Sequence, residues 1–151
     1  MKNYGVIFSL FLYLFLFGIK SSTYAQSSPV MYFCTRYDSK LGEVGISDRF
    51  TVGYLTIMVK SDKPMNLSDV FIEFDKYNPK ENKFEFYKRF NYIISPDQSY
   101  VFFTRNQEND LRFEEPGIYR VFLLNNEGDT VTSALIEIIS DTSSKENQKT
   151  K

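Results

Sequence analysis

The chain has 151 residues, with 18 basic and 19 acidic side chains, no histidine and one cysteine. A charge balance this close to neutral gives no general affinity for a phosphate backbone, so nucleic-acid binding is not expected. The lack of histidine excludes imidazole bases, Ser-His-Asp triads and histidine-ligated metals, and a single cysteine excludes an intramolecular disulfide or a thiolate cluster.

The first element reads as an export signal. Lys2 gives a positive start, Val6–Ile19 is an almost unbroken apolar run of 14 residues, and Thr23 and Ala25 place small residues at a cleavage site. The run falls short of the ~20 residues of a membrane span. Residues 1–25 are therefore expected to be removed as a signal peptide, with no stable span afterwards and a secreted or periplasmic product. They hold two basic residues and no acidic ones, so the remainder is mildly acidic.

Seven strand-like runs follow, rich in aromatic and β-branched residues. They are Val30–Tyr37, Tyr54–Lys60, Asp69–Tyr77, Phe84–Ile94, Ser99–Arg105, Gly117–Asn125 and Thr130–Ile139. Gly42 and Gly45 are expected to mark a loop after the first run. Lys63-Pro64, Asn78-Pro79 and Ser95-Pro96-Asp97 punctuate the middle of the chain, and Asn125–Asp129 offers a tight hairpin, because Asn and Gly tolerate positive φ. Residues 141–151 form a polar tail expected to be disordered. Short connections leave no room for crossover helices. Residues 26–140 are thus expected to form one all-β domain, an antiparallel sandwich of about seven strands.

The segment Leu111–Val121 (LRFEEPGIYRV) resembles the E–F corner of immunoglobulin-like domains. Leu111-Arg112, the acidic pair Glu114-Glu115, the small residue Gly117 and Tyr119 stand at the positions of that pattern. Exported bacterial proteins carry similar disulfide-free modules, with a Pro-Gly-x-Tyr approach to the penultimate strand, as in Pro116–Tyr119. The resemblance implies an immunoglobulin-like β-sandwich. It also implies that the Tyr119 hydroxyl turns back onto the backbone while its ring joins the core. Val121 stands where the second cysteine would be, with Ile57 as its counterpart, and Phe74 or Phe71 must replace the missing core tryptophan.

No catalytic motif accompanies this framework, and neither a cofactor nor a metal is expected. Glu114-Glu115 and the loop Asn106–Asp110, with Glu108 and Asp110, are the closest groupings of acids. They lack the spacing and bracing glutamate of a calcium loop, and read as a solvated loop and a corner device. Cys34, flanked by aromatic residues, is expected to be a buried small hydrophobe.

Aromatic surplus is the informative feature. Several strands carry apolar residues on both faces. If Tyr119, Val121 and Leu123 face inward, Ile118, Phe122 and Leu124 face outward. Surplus apolar surface must be covered by an intramolecular flap, a partner protein or a stacked sugar. Phe122, Leu124, Tyr87 and Phe103 are the candidate binding residues; Tyr119, Glu115 and Gly117 are the candidate structural corner. The reading is an exported, non-enzymatic binding or structural module. It docks another exported protein, or a second copy of itself, through an apolar sheet face or an edge strand. The alternatives are a carbohydrate-binding module using Tyr and Phe rings and a histidine-free carboxylate hydrolase.

Overall fold

The computed structural model describes residues 28–104 and 111–141, and every regular element among them is a strand. The expected signal peptide, the acidic loop at Glu108 and Asp110, and the polar tail beyond Asp141 lie outside the described residues.

Seven main strands match the seven expected runs: β1 (Val30–Asp38), β5 (Thr56–Lys60), β6 (Asp69–Asn78), β7 (Lys83–Ile93), β8 (Tyr100–Phe103), β10 (Gly117–Leu124) and β11 (Thr130–Ile139). Four shorter ones intervene: β2 (Gly42–Ser47), β3 (Arg49–Thr51), β4 (Gly53–Tyr54) and β9 (Arg112–Phe113). Gly42 and Gly45, expected in a loop, lie instead in β2, which pairs antiparallel with β1. The sequence of β2 (GEVGIS) lacks the aromatic and β-branched density of the other strands, so pairing rather than propensity makes it a strand.

One sheet runs β2-β1-β5-β8 and the other β3-β11-β10-β6-β7, with β4 and β9 forming a small separate pair. All pairs are antiparallel except β3, which lies parallel to β11. The chain crosses between the sheets from β5 to β6 and back from β7 to β8. This is the Greek-key order of an immunoglobulin-like sandwich, with β5 and β8 as its B and E strands and β6, β10 and β11 as C, F and G. β7 adds a further strand outside β6.

Alternation along each strand supplies the core. Ile57 and Val59 of β5, Val70, Ile72 and Phe74 of β6, Tyr119, Val121 and Leu123 of β10, and Ile136 and Ile138 of β11 are buried in one cluster. Each such side chain contributes roughly 1.5–3 kcal/mol by leaving water. Ile57 and Val121, at the positions of the missing cysteine pair, are both fully buried. Phe74 fills the tryptophan space, with its ring edge-on to Phe113 at 5.3 Å and to Phe90 at 6.1 Å. Phe71 lies on the opposite face, under the Arg89 guanidinium at 5.3 Å.

Candidate functional site

The corner comes first, because it fixes which face of β10 points out. The Tyr119 hydroxyl donates to the Glu115 carbonyl at 2.8 Å. Its ring is fully buried, edge-on to Phe113 at 5.0 Å and Tyr87 at 5.5 Å. Burial pushes the Tyr119 hydroxyl well above the usual phenol range. Gly117 has φ +153°, and a Cβ there would stand 3.1 Å from the Lys76 side chain. That lysine lies over the Tyr119 ring and pairs with the Glu115 carboxylate, which it holds below the usual carboxylate range. Glu115 is thus committed to the corner.

The outer face of the five-stranded sheet begins with Arg120 and Phe122, two residues apart on β10 and so on one face. Arg120 lies between two rings, 4.7 Å from Phe84 of β7 and 4.7 Å from Phe122. It donates to Asp75 of β6 at 2.9 Å. Parallel to this arrangement, Arg89 donates to Glu73 at 2.6 Å, and on the far side Arg49 donates to Glu137 at 2.6 Å. Around these pairs stand large apolar side chains in water: Phe86 66% exposed, Leu135 57% and Ile118 45%. Arginine stems cover part of the apolar surface while their charges stay wet, and the rest is open.

Of the four candidate binding residues, Phe122 is half-buried and Leu124 buried on this face; Phe103 and Tyr87 turn to the core. Phe103 is 2% exposed and belongs to the core. It stands opposite Ile57 of β5, while Tyr100 and Phe102 turn outward. With apolar residues on both sides of a four-residue strand, only that pairing fixes the phase. Tyr87 is half-buried and faces the core, because a bulge pairs Phe74 with Lys88 and Asp75 with Phe86 and skips Tyr87. The bulge reverses the alternation, sending Phe84 and Phe86 out and Tyr87, Phe90 and Tyr92 in. Leu124 is 5% exposed. It stands opposite Phe71 of β6, on the outer face and outside the main core cluster, and is covered there although the ladder to β11 shifts at Leu123/Leu124.

The bulge also turns Lys88 inward at the sandwich margin. Its ammonium donates to the Arg112 carbonyl and lies 5.3 Å from the Tyr87 ring centre and 5.4 Å from that of Phe90. An inward-pointing lysine on an edge strand discourages strand addition there.

The outer face of the four-stranded sheet is different. Tyr32, Met58 and Phe102 form one row across β1, β5 and β8. Tyr37, five residues beyond Tyr32, should point to the opposite face. Its ring instead stacks on Phe102 at 4.6 Å. Glu43, directly opposite Tyr37 on β2, accepts from the Tyr32 hydroxyl at 2.5 Å and the Tyr100 hydroxyl at 2.7 Å. The tip of the β1–β2 hairpin therefore curls over this face. Gly45, at φ +68°, permits the coil, and a Cβ there would stand 2.6 Å from the Thr35 hydroxyl. On the same face Cys34 and Met58 are fully buried and Thr56 is 3% exposed. The hydrogen bonds from Tyr32 and then Tyr100 hold the Glu43 carboxyl down to about 2. Burial, followed by the Glu43 contact, pushes Tyr32 up to about 12 and Tyr100 in the same direction. Burial also raises the Cys34 thiol.

Sequence reasoning missed Arg120 and Glu43. Arg120 could have been found, since it shares a strand face with Phe122. Glu43 carried no local signal beyond the two flanking glycines. Among the described residues no group of His, Cys, Asp and Glu has the arrangement of a metal site.

No family model matches the chain, and no curated protein matches it. Among solved structures it is similar to an immunoglobulin-like protein (PA1606) of Pseudomonas aeruginosa, at 8% identity and a TM-score of 0.43, over 76% of this chain and 99% of that one. It is also similar to part of an alkylpurine DNA glycosylase, AlkC, of Pseudomonas fluorescens bound to DNA, at 19% identity and a TM-score of 0.33. That similarity spans 61% of this chain and 27% of the glycosylase. The immunoglobulin-like class stands on the strand order and the tyrosine corner.

Proposed function

We propose that the protein is an exported, non-enzymatic binding module that docks another protein on the outer face of β10, β11, β6 and β7. One observation carries this reading. Phe86, Leu135 and Ile118 stand exposed around the Phe84–Arg120–Phe122 stack, on a face that no described segment of the chain covers. Exposed apolar area costs ~25 cal/mol per Å² relative to burial, and clustered aromatic and arginine side chains are the usual energetic centre of a protein interface. The Tyr37 and Phe102 rings stack on one another rather than lying side by side as the flat row that a sugar would need. Export rests on Lys2, Val6–Ile19 and Thr23-Tyr24-Ala25, and intact mass of the released protein checks it. A chain beginning near Gln26 is expected; a mass that includes residues 1–25 contradicts it.

Docking is tested with a photo-crosslinking residue at Leu135 and, as a control, at Lys40 on the hairpin tip. The expected result is a discrete adduct from Leu135 alone, lost when Phe86→Glu is added. Equal adducts from both positions, or none from Leu135, contradict the reading.

A further inference from the structure

Among the described residues, buried side chains lie on both sides of the four-stranded sheet. The main core cluster gathers side chains between the two sheets, and it contains neither Cys34 nor Met58. Yet both are fully buried. They sit on the outer face of the four-stranded sheet, in line with Tyr32 and Phe102 and with Thr56 and Ile46. Across the same face reach Tyr37, stacked on Phe102, and Glu43, held by the Tyr32 and Tyr100 hydroxyls. A satellite cluster under a folded-over segment loses its burial when that segment lifts, while the main core keeps its own.

We infer that the Tyr37–Glu43 tip of the β1–β2 hairpin is a hinged lid, latched by Tyr32, Glu43 and Tyr100, that opens while the sandwich stays folded. The ties on the outside of the sheet include one carboxylate shared by two hydroxyls and the Tyr37 ring, stacked on Phe102 and tilted against Tyr100. The tip moves as a unit, because the Asp38 carboxylate accepts from the backbone N–H of Lys40 at 2.8 Å and of Leu41 at 3.0 Å. Gly42 and Gly45, at φ +74° and +68°, supply backbone freedom on the β2 side. Leu41, at the apex, is 73% exposed and anchors nothing. The latch spans three strands, with Glu43 on β2, Tyr32 on β1 and Tyr100 on β8. Losing one carboxylate therefore releases the lid from both of its hydroxyl partners at once. An open lid uncovers Cys34 and Met58 beside Phe102, which is already 45% exposed, and so enlarges the apolar surface of this face only while the lid is raised.

Cys34 is a built-in reporter, as the chain's one thiol. Alkylation of Cys34 in the full chain is followed across a urea series that stops well below global unfolding. A lid that opens locally gives labelling with a shallow urea dependence, because little surface is exposed in the opening. Glu43→Gln keeps the shape of the residue but weakens both hydrogen bonds, and is expected to speed labelling roughly tenfold. Tyr119→Phe, which lowers global stability without touching the lid, is expected to leave the labelling rate unchanged. A urea slope equal to that of global unfolding overturns the inference. So does a labelling rate that rises with Tyr119→Phe and not with Glu43→Gln. If Glu43→Gln fails to fold, the slope in the unmodified protein and the Tyr119→Phe result decide the matter alone.

Discussion

The two outer faces of this sandwich solve one problem in opposite ways. Both carry aromatic side chains beyond those the core can hold. On the four-stranded sheet the chain covers part of them itself: the hairpin tip lays Tyr37 on Phe102 and ties Glu43 to Tyr32 and Tyr100, with Met58 and Cys34 fully buried on that face and Ile46 and part of Phe102 left in water. On the five-stranded sheet no described segment lies across the strands. Paired arginines flatten onto Phe71, Phe84 and Phe122, and Phe86 and Leu135 are left in water. An apolar residue on an outer strand face is therefore not by itself a sign of an interface. The side chains that the hairpin tip covers stabilise the fold, and the proposed function rests on the uncovered ones of the other sheet.

The strongest perturbation removes what both faces share. Tyr119→Ala takes out a fully buried ring and is expected to cost about 3–5 kcal/mol, loosening both faces together. Tyr119→Phe removes only the bond to the Glu115 carbonyl, at about 1 kcal/mol. Denaturant melts measure both, and a Tyr119→Ala variant as stable as the parent contradicts the corner assignment. A matched pair then separates the faces. Met58→Ala on the covered face is expected to cost about 2–5 kcal/mol. Leu135→Ala on the open face is expected to stay within about 0.5 kcal/mol. Equal costs would erase the distinction between the faces.

A pH series isolates the latch. The folded Glu43 carboxyl titrates at about 2, below the roughly 4.3 of a free glutamate. Its contribution is therefore complete above the unfolded value and is lost as pH falls toward the folded one. Tyr32 is raised, to about 12, above the ~10 of a free tyrosine. Its contribution is complete below the unfolded value and lost as pH rises through the folded one. Lid closure, read by Cys34 labelling corrected for the reagent's own pH dependence, is expected to be constant from about pH 5 to 9 and to weaken first on the acid side. A midpoint near neutrality would place some other group in control. The smallest effect on folding is expected from Leu135→Glu, which leaves the melt within about 0.5 kcal/mol while removing any association carried by the open face.

Much of the fold was legible. Each main strand announced itself through β-branched and aromatic runs between Pro, Asn and Gly breaks, and the Leu111–Val121 segment pointed to the corner. The faces were legible only where alternation held. On β10 it places Arg120 and Phe122 together, but the bulge opposite Phe74 and Asp75 reverses the phase of β7. Tyr87 consequently turns inward and Phe86 outward. Bulges depend on pairing between strands, which periodicity within one strand does not encode. Phe103 shows the same limit, since either phase of Tyr100–Phe103 presents apolar residues to the core. The lid was hidden for another reason. A glycine-flanked Glu43 looks like a loop until the Tyr32 and Tyr100 hydroxyls are placed beside it.

The contrast between the faces is tested most directly by hydroxyl-radical footprinting of the protein, purified and in its native compartment. Purified, Phe86, Leu135 and Ile118 are expected to react at the rates of exposed side chains, while Met58, a far more reactive residue type, stays protected. In its native compartment, Phe86 and Leu135 are expected to become protected, while the hairpin-tip residue Leu41 keeps its rate. A Met58 that oxidises as fast as an exposed methionine in the purified protein, or a Phe86 and Leu135 whose rates are the same in both settings, contradicts the account.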